Sequence, residues 1–297
     1  MTTNAWKTGF WITANKTKHL SLFFLLAAFV ALASCVGAPS PYHLDSGQMD
    51  KCPAEFDESD HVMAVLWCQY AAEARALYYQ AYNIAGDRLD AAIAHSDPKD
   101  NLAIIMDIDE TILDNSPFEA FLIQNGSPFT PELWSEWTAQ CESQALPGAQ
   151  PFLAYAASHG VAVFYLSNRS SDEFEATVRN LNALQFPMVD SSHLLLQMDG
   201  SGKEPNRLKV GEKYKVVLLM GDNLGDFSAV FDRQGFTNRF ELADANRAEF
   251  GRRFIVLPNP MYGDWENSLY PSHGLDENMK IKLRRELLKS WQRPAGN

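Results

Sequence analysis

A chain of 297 residues with 46% hydrophobic side chains can bury a sizeable core, as one large domain or two small ones. Its formal net charge of −12 repels polyphosphate backbones and argues against a nucleic-acid polymer as partner. A small phosphorylated ligand stays open, because a metal ion or a few local cations decide that.

In chain order, residues 1–34 are set aside from the fold as a signal peptide. Lys7, Lys16 and Lys18 form a basic leader, and Leu20–Ala33 is apolar but short for a membrane span. This stretch ends in Leu32-Ala33-Ser34-Cys35, which resembles the lipobox of bacterial lipoproteins. The resemblance implies cleavage before Cys35 and lipidation of Cys35. With Val36 following, it also implies an anchor in the bacterial outer membrane, the chain's one contact with a membrane. Residues 35–58, with Pro39, Pro41, Gly47 and Pro53, read as a tether. Cys52, Cys68 and Cys141 lack zinc-like spacing and read as buried thiols, although export permits a disulfide.

A helical pattern begins at Ser59, with Ser59 or Asp60 as cap, and Gly86 is expected to interrupt it. Leu102–Met106 is an unbroken apolar run, as in a strand buried on both faces of a parallel sheet. Residues 114–150, dense in aromatics, read as a cap inserted over the strand ends. Within it Thr130-Pro131-Glu132 starts a short helix carrying Trp134 and Trp137. A helix over 149–158, a strand over 161–166, a helix over 171–184 and a strand over 193–196 follow. Further strands are expected at 216–220 and 253–257. A last helix with Met279, Leu283, Leu287 and Trp291 four apart is expected to pack on the body through that stripe. The alternation predicts an α/β fold over 59–297: a parallel sheet with helices on both faces.

Asp107 and Asp109 follow the first strand, at the end where open α/β sheets place ligands. Alternation along an extended backbone aims both the same way. Such a pair persists if a cation lies between the carboxylates or if one keeps its proton. Either arrangement is chemically useful: one carboxylate can attack, the other can move a proton, and Mg²⁺ can hold the site. Ser167-Asn168, Lys203 and Asp222/Asp226 follow later strands or their loops, and a parallel sheet gathers those ends on one edge.

Asp-Ile-Asp-Glu-Thr-Ile-Leu-Asp-Asn (107–115), Phe-Tyr-Leu-Ser-Asn-Arg (164–169), Asp-Gly-Ser-Gly-Lys (199–203) and Gly-Asp-Asn-Leu-Gly-Asp-Phe (221–227) resemble, in order, the four motifs of the haloacid dehalogenase (HAD) superfamily. They are most similar to those of the class C bacterial acid phosphatases, the lipoprotein 5′-nucleotidase group. Ala-Leu-Tyr-Tyr-Gln-Ala-Tyr-Asn (76–83), Leu-Pro-Gly-Ala (146–149) and Leu-Pro-Asn-Pro-Met-Tyr-Gly-Asp-Trp-Glu (257–266) extend the likeness over most of the chain beyond the tether. Gly225 departs from it, since relatives often carry another Asp there.

The resemblance implies a Rossmann-like sheet and hydrolysis of phosphomonoesters with Mg²⁺. Asp107 would be the nucleophile that forms an aspartyl-phosphate. Asp109 would be the general acid/base, its backbone carbonyl also a metal ligand. Asp107 and Asp222 would bind the metal and Asp226 would orient that shell or Lys203. Ser167, Asn168 and Lys203 would hold the phosphate. Trp134 and Tyr262 would stack a nucleotide base, as for a nucleoside 5′-monophosphate or nicotinamide mononucleotide. A homodimer is compatible with this picture. Rival readings are an unselective phosphatase and a non-catalytic surface lipoprotein carrying haem or a nucleotide. The seven His residues form no ligand-like cluster for haem.

Overall fold

The computed structural model describes residues 59–197, 202–272 and 274–291. The leader, Cys35, the tether with Cys52, and residues 198–201 lie outside the described residues.

Two helices open the domain, α1 (Ser59–Tyr70) and α2 (Ala72–Ala94). The break between them falls at Ala71, which is extended at φ −75°, ψ 124°, and not at Gly86. Gly86 lies inside α2 on the face that buries Tyr78, Tyr82, Ala85 and Leu89. Burial along that face outweighs the roughly 1 kcal/mol that a glycine costs a helix interior.

The central sheet has five parallel strands in the order β5-β4-β1-β6-β7. They are β1 (Leu102–Met106), β4 (Ala162–Ser170), β5 (Leu194–Gln197), β6 (Lys215–Gly221) and β7 (Phe254–Val256). The strand β1 lies at the centre and is buried along its whole length. Its alternation feeds two cores. Ile104 and Met106 join Tyr82, Phe152 and Leu153 on the side of α2 and helix α5 (Ala149–Ser158). Ala103 and Ile105 join Phe164, Leu219, Phe227 and Phe254 on the other side. This is the expected α/β architecture. The strand β4 runs past its expected end at Leu166 and carries Ser167, Asn168 and Arg169 within it.

The aromatic-rich insertion lies between β1 and β4. A two-stranded antiparallel ribbon, β2 (Leu113–Asp114) with β3 (Gln144–Ala145), closes its base. Between them stand α3 (Ser116–Asn125) and α4 (Pro131–Gln140). Thr130 caps α4, its Oγ1 accepting from the Leu133 N–H at 3.2 Å. Phe118 is the centre of the insertion's own small core, with Trp134 edge-on at a centroid distance of 5.2 Å and Trp137 stacked at 6.5 Å.

The helix α6 (Phe174–Ala183) links β4 to β5; after β5 come α7 (Glu204–Gly211), α8 (Phe236–Ala245) and α9 (Asp264–Asn267). The last helix, α10 (Glu277–Leu287), departs from expectation. Met279, Leu287 and Trp291 are exposed, and Ile281 is its buried residue. Polar contacts fasten it: Arg284 pairs with Glu266 at 2.8 Å and meets His61 of α1 at 2.9 Å, while Glu277 of the same helix holds the guanidinium at 2.8 Å. Leu283 is half-buried, so the stripe packs only in part, and Ile281 with the polar contacts of Arg284 does the docking. Cys68 and Cys141 are free thiols, as expected, and are half-buried. Burial still pushes the Cys68 thiol up to about 12, which keeps it protonated and unreactive.

Candidate active site

The C-terminal ends of β1, β4 and β6, together with the start of α7, bring the acidic residues together. The Asp107 amide still donates to the Met220 carbonyl at 2.9 Å, so its position is fixed by the sheet. The backbone then turns. Glu110 adopts φ 57°, and the amides of Thr111, Ile112 and Leu113 all donate to the Ile108 carbonyl. This turn returns Thr111 to the strand end, where its Oγ1 donates to Asp107 Oδ2 at 2.9 Å.

Lys203 stands immediately before α7 with its ammonium buried. Nζ donates to Asp226 Oδ1 at 2.6 Å and to Asp107 Oδ1. Asp222 takes a 2.8 Å hydrogen bond from Asn259 Nδ2, and Asp226 Oδ2 accepts from the Asn223 amide at 2.9 Å. Carboxylate oxygens of Asp107, Asp222 and Asp226 all lie within 4.8 Å of one another, a group able to hold a metal ion. Gly221 makes this possible: a Cβ there would stand 2.4 Å from Asp226 Cβ.

Asp109 has a separate set of partners. Arg169 Nε lies 3.2 and 3.1 Å from its two oxygens, and Nη2 donates to Oδ1 at 2.7 Å. Asn115 Nδ2 donates to Oδ1 at 2.9 Å, and Ser167 Oγ to Oδ2 at 3.3 Å. The two neighbouring carboxylates thus satisfy the repulsion argument in a third way: each has its own cation, Lys203 for Asp107 and Arg169 for Asp109.

The electrostatics follow from burial. Burial pushes the Asp107 carboxyl up to about 6 against the pull of Lys203, and Asp226 and Asp109 add to the rise. Asp222 is raised well above the usual carboxylate range by desolvation, then by Asp107 and Asp226. Glu110 is raised likewise by burial and by Asp109 and Asp222; its Oε1 accepts from the Asn115 amide at 2.8 Å. Burial alone would lower the Lys203 ammonium, but Asp107 and Asp226 outweigh it and hold its pKa above the ordinary lysine value.

Not every expected residue joins this group. Asn168 is exposed on the opposite side of β4 from Ser167 and Arg169, as strand alternation requires. It lines a cavity of about 1260 Å³ with Gln197, Arg233 and Asn238. The β4–β5 register shifts between Ser167 and Ser170. Trp134 is half-buried, with the Arg169 guanidinium 5.6 Å over its ring. Tyr262 is half-buried in the segment after β7, its backbone linked to Asn259 and Trp265. At Gly225, a Cβ would stand 2.8 Å from Asp232 Oδ1, so another acid already approaches this position.

Sequence reasoning assigned no role to Thr111, Asn115, Arg169 or Asn259. Each lies inside a stretch that carried the resemblance, so the signal was position within a motif. Only the fold shows which acid each one holds.

With this geometry, a comparison with known proteins can be read. The family model for the HAD superfamily, subfamily IIIB (acid phosphatase), matches residues 43–265, and the chain belongs to that family. It is similar to the class C acid phosphatase from Bacillus anthracis, with 42% identity over 78% of this chain and 98% of that one and a TM-score of 0.75. A tungstate-bound structure of that enzyme matches equally well. The stem 31 kDa glycoprotein of Glycine max is 26% identical over 202 residues, 65% of this chain and 69% of its own length. The protein is a phosphoric monoester hydrolase of the acid phosphatase type.

Raised carboxyl pKa values make a prediction for the metal-free protein. A carboxyl raised in the folded state adds stability that is fully present below its unfolded value near 3.8 and is lost as pH rises through the folded value, about 6 for Asp107. The metal-free protein should therefore melt at a lower temperature at pH 7.5 than at pH 5. Asp222→Asn should flatten that slope, measured by thermal unfolding in EDTA. An equal slope in both proteins would show that these acids are not the source.

Proposed function

We propose that the protein uses Mg²⁺ to hydrolyse nucleoside 5′-monophosphates or nicotinamide mononucleotide through a phosphoryl group carried on Asp107. One observation carries the reading. Three carboxyl groups converge within 4.8 Å beside a single ammonium, so the full set ionises together only if a further cation joins it. Hard oxygen donors that call for a further cation suit Mg²⁺. Asp107, Asp222 and the Asp109 carbonyl would hold it, with Asp226 in support. When bound, the ion would neutralise charge on the nucleophile and the phosphoryl oxygens.

The chain's own groups account for the rest. Thr111 and Lys203 aim the Asp107 carboxylate, whose oxygen attacks phosphorus in line. The bond from phosphorus to the leaving oxygen breaks with its electron pair on that oxygen, and Asp109 gives it a proton. Asp109 then removes a proton from water, which attacks the phosphoryl group, frees inorganic phosphate and restores Asp107. Ser167 Oγ, Lys203 and the backbone N–H of Asn168 would bind the phosphate oxygens, with positioning and charge stabilisation supplying most of the rate. The relative's tungstate, a tetrahedral oxyanion, supports a phosphate-shaped pocket of this kind.

Trp134 and Tyr262 are proposed to stack the base, contributing about 1–3 kcal/mol. The domain would be tethered to the outer membrane through lipid on Cys35 after removal of residues 1–34, and the reading accommodates a homodimer.

Asp107→Asn should lower turnover of AMP by about 10³ or more. EDTA should abolish wild-type activity and Mg²⁺ restore it; activity that survives EDTA would sink the metal reading. Trp134→Ala should reduce the preference for AMP over glycerol phosphate by about tenfold, in line with the stacking contribution. An unchanged preference would favour an unselective phosphatase. Radioactive fatty acid should label the wild type and not Cys35→Ala; label on both, or on neither, would reject the anchor.

A further inference from the structure

Asn115 is fully buried, and both ends of its carboxamide are engaged. Oδ1 accepts from Trp137 Nε1 at 2.9 Å and from Ser143 Oγ at 2.9 Å. Nδ2 donates to Asp109 Oδ1 at 2.9 Å and approaches Glu110 Oε2 at 3.4 Å. An indole N–H only donates, so the atom facing Trp137 must be the carboxamide oxygen. That fixes the amide's orientation and leaves its NH₂ facing Asp109. Trp137 and Ser143 belong to the inserted segment, and Ser143 also accepts from Asn180 of α6, through its carbonyl, at 3.0 Å.

Arg169 completes the support. Its side chain is 1% exposed, its Nη1 donates to Thr177 Oγ1 at 3.0 Å, and Trp134 of the insertion covers the guanidinium. Asp109 Oδ1 therefore receives short bonds from Asn115 and Arg169, at 2.9 and 2.7 Å. Oδ2 has longer ones, 3.1 Å from Arg169 and 3.3 Å from Ser167. The less engaged oxygen is the one free to exchange a proton.

We infer that Asn115 and Arg169 are positioning residues that present Oδ2 of Asp109 to the leaving oxygen, and that Trp137 of the inserted segment sets Asn115 for that task. This rests on the reading of Asp109 as general acid/base. The insertion thus acts on the proton-transfer step as well as on whatever it contacts in the substrate. General acid–base assistance contributes about 10²–10⁴ to such reactions. It matters most when the leaving group is a strongly basic alkoxide and least when it is a stabilised phenolate. A purely structural role would lower both alike.

The test compares kcat for glycerol phosphate and for p-nitrophenyl phosphate, using the purified protein with saturating Mg²⁺. Trp137→Phe keeps an aromatic ring, though a smaller one, and removes the N–H; Arg169→Lys keeps the charge and removes the fork. Each should lower kcat on glycerol phosphate about tenfold or more beyond its effect on p-nitrophenyl phosphate, with KM for both nearly unchanged. In an Asp109→Ala background, Trp137→Phe should leave the ratio of the two rates unaltered. Equal losses on both substrates, no loss on either, or an undiminished effect without Asp109 would overturn the inference. If Arg169→Lys fails to fold, Trp137→Phe decides alone. A wild type inactive on both esters would instead sink the proposed function.

Discussion

The structure depends on one buried ammonium. Lys203 sits between Asp107 at the end of β1 and Asp226 in the turn after β6, and the three side chains are nearly inaccessible to water. Burying such charges is costly unless they are paired. Removing any one of them would strand its partners, so the ion triad pins three segments that are far apart in sequence. The sheet supplies the geometry, because its parallel strands end at one edge. The triad keeps the loops beyond that edge from drifting apart.

The two neighbouring acids are built for different work. Asp107 is held by a hydroxyl and an ammonium and belongs to the cluster that can take a metal ion. Asp109, two residues on, is turned to a guanidinium and a carboxamide. Separate compensation lets two carboxylates stand close together without sharing a proton. It also links Asp109 to the insertion, since Asn115 and Arg169 both touch aromatic residues of that segment.

Much of this was legible in the residues. The unbroken apolar run of β1, the strand–helix alternation and the acids at strand ends led to the α/β sheet and to the convergence of Asp107, Asp109, Lys203, Asp222 and Asp226. Three features were not legible. Gly86 is tolerated inside α2 because packing outweighs local propensity. Met279 and Leu287 of α10 face solvent because the helix docks through Ile281 and through the Arg284–Glu266 pair. Asn168 turns outward because β4 continues through it, which a motif read as a loop does not reveal. The supporting residues Thr111, Asn115 and Asn259 were hidden for a related reason. Their significance lies in which distant carboxylate they meet, and hydropathy carries no trace of that.

The contact at Gly225 bears on how this site can change over generations. Asp232 reaches into the room a side chain at 225 would fill. An acid gained at 225 while Asp232 remains would meet both a steric overlap and a like charge. A side chain at 225 thus requires the Asp232 carboxylate to swing aside, and an acidic one couples the two positions electrostatically.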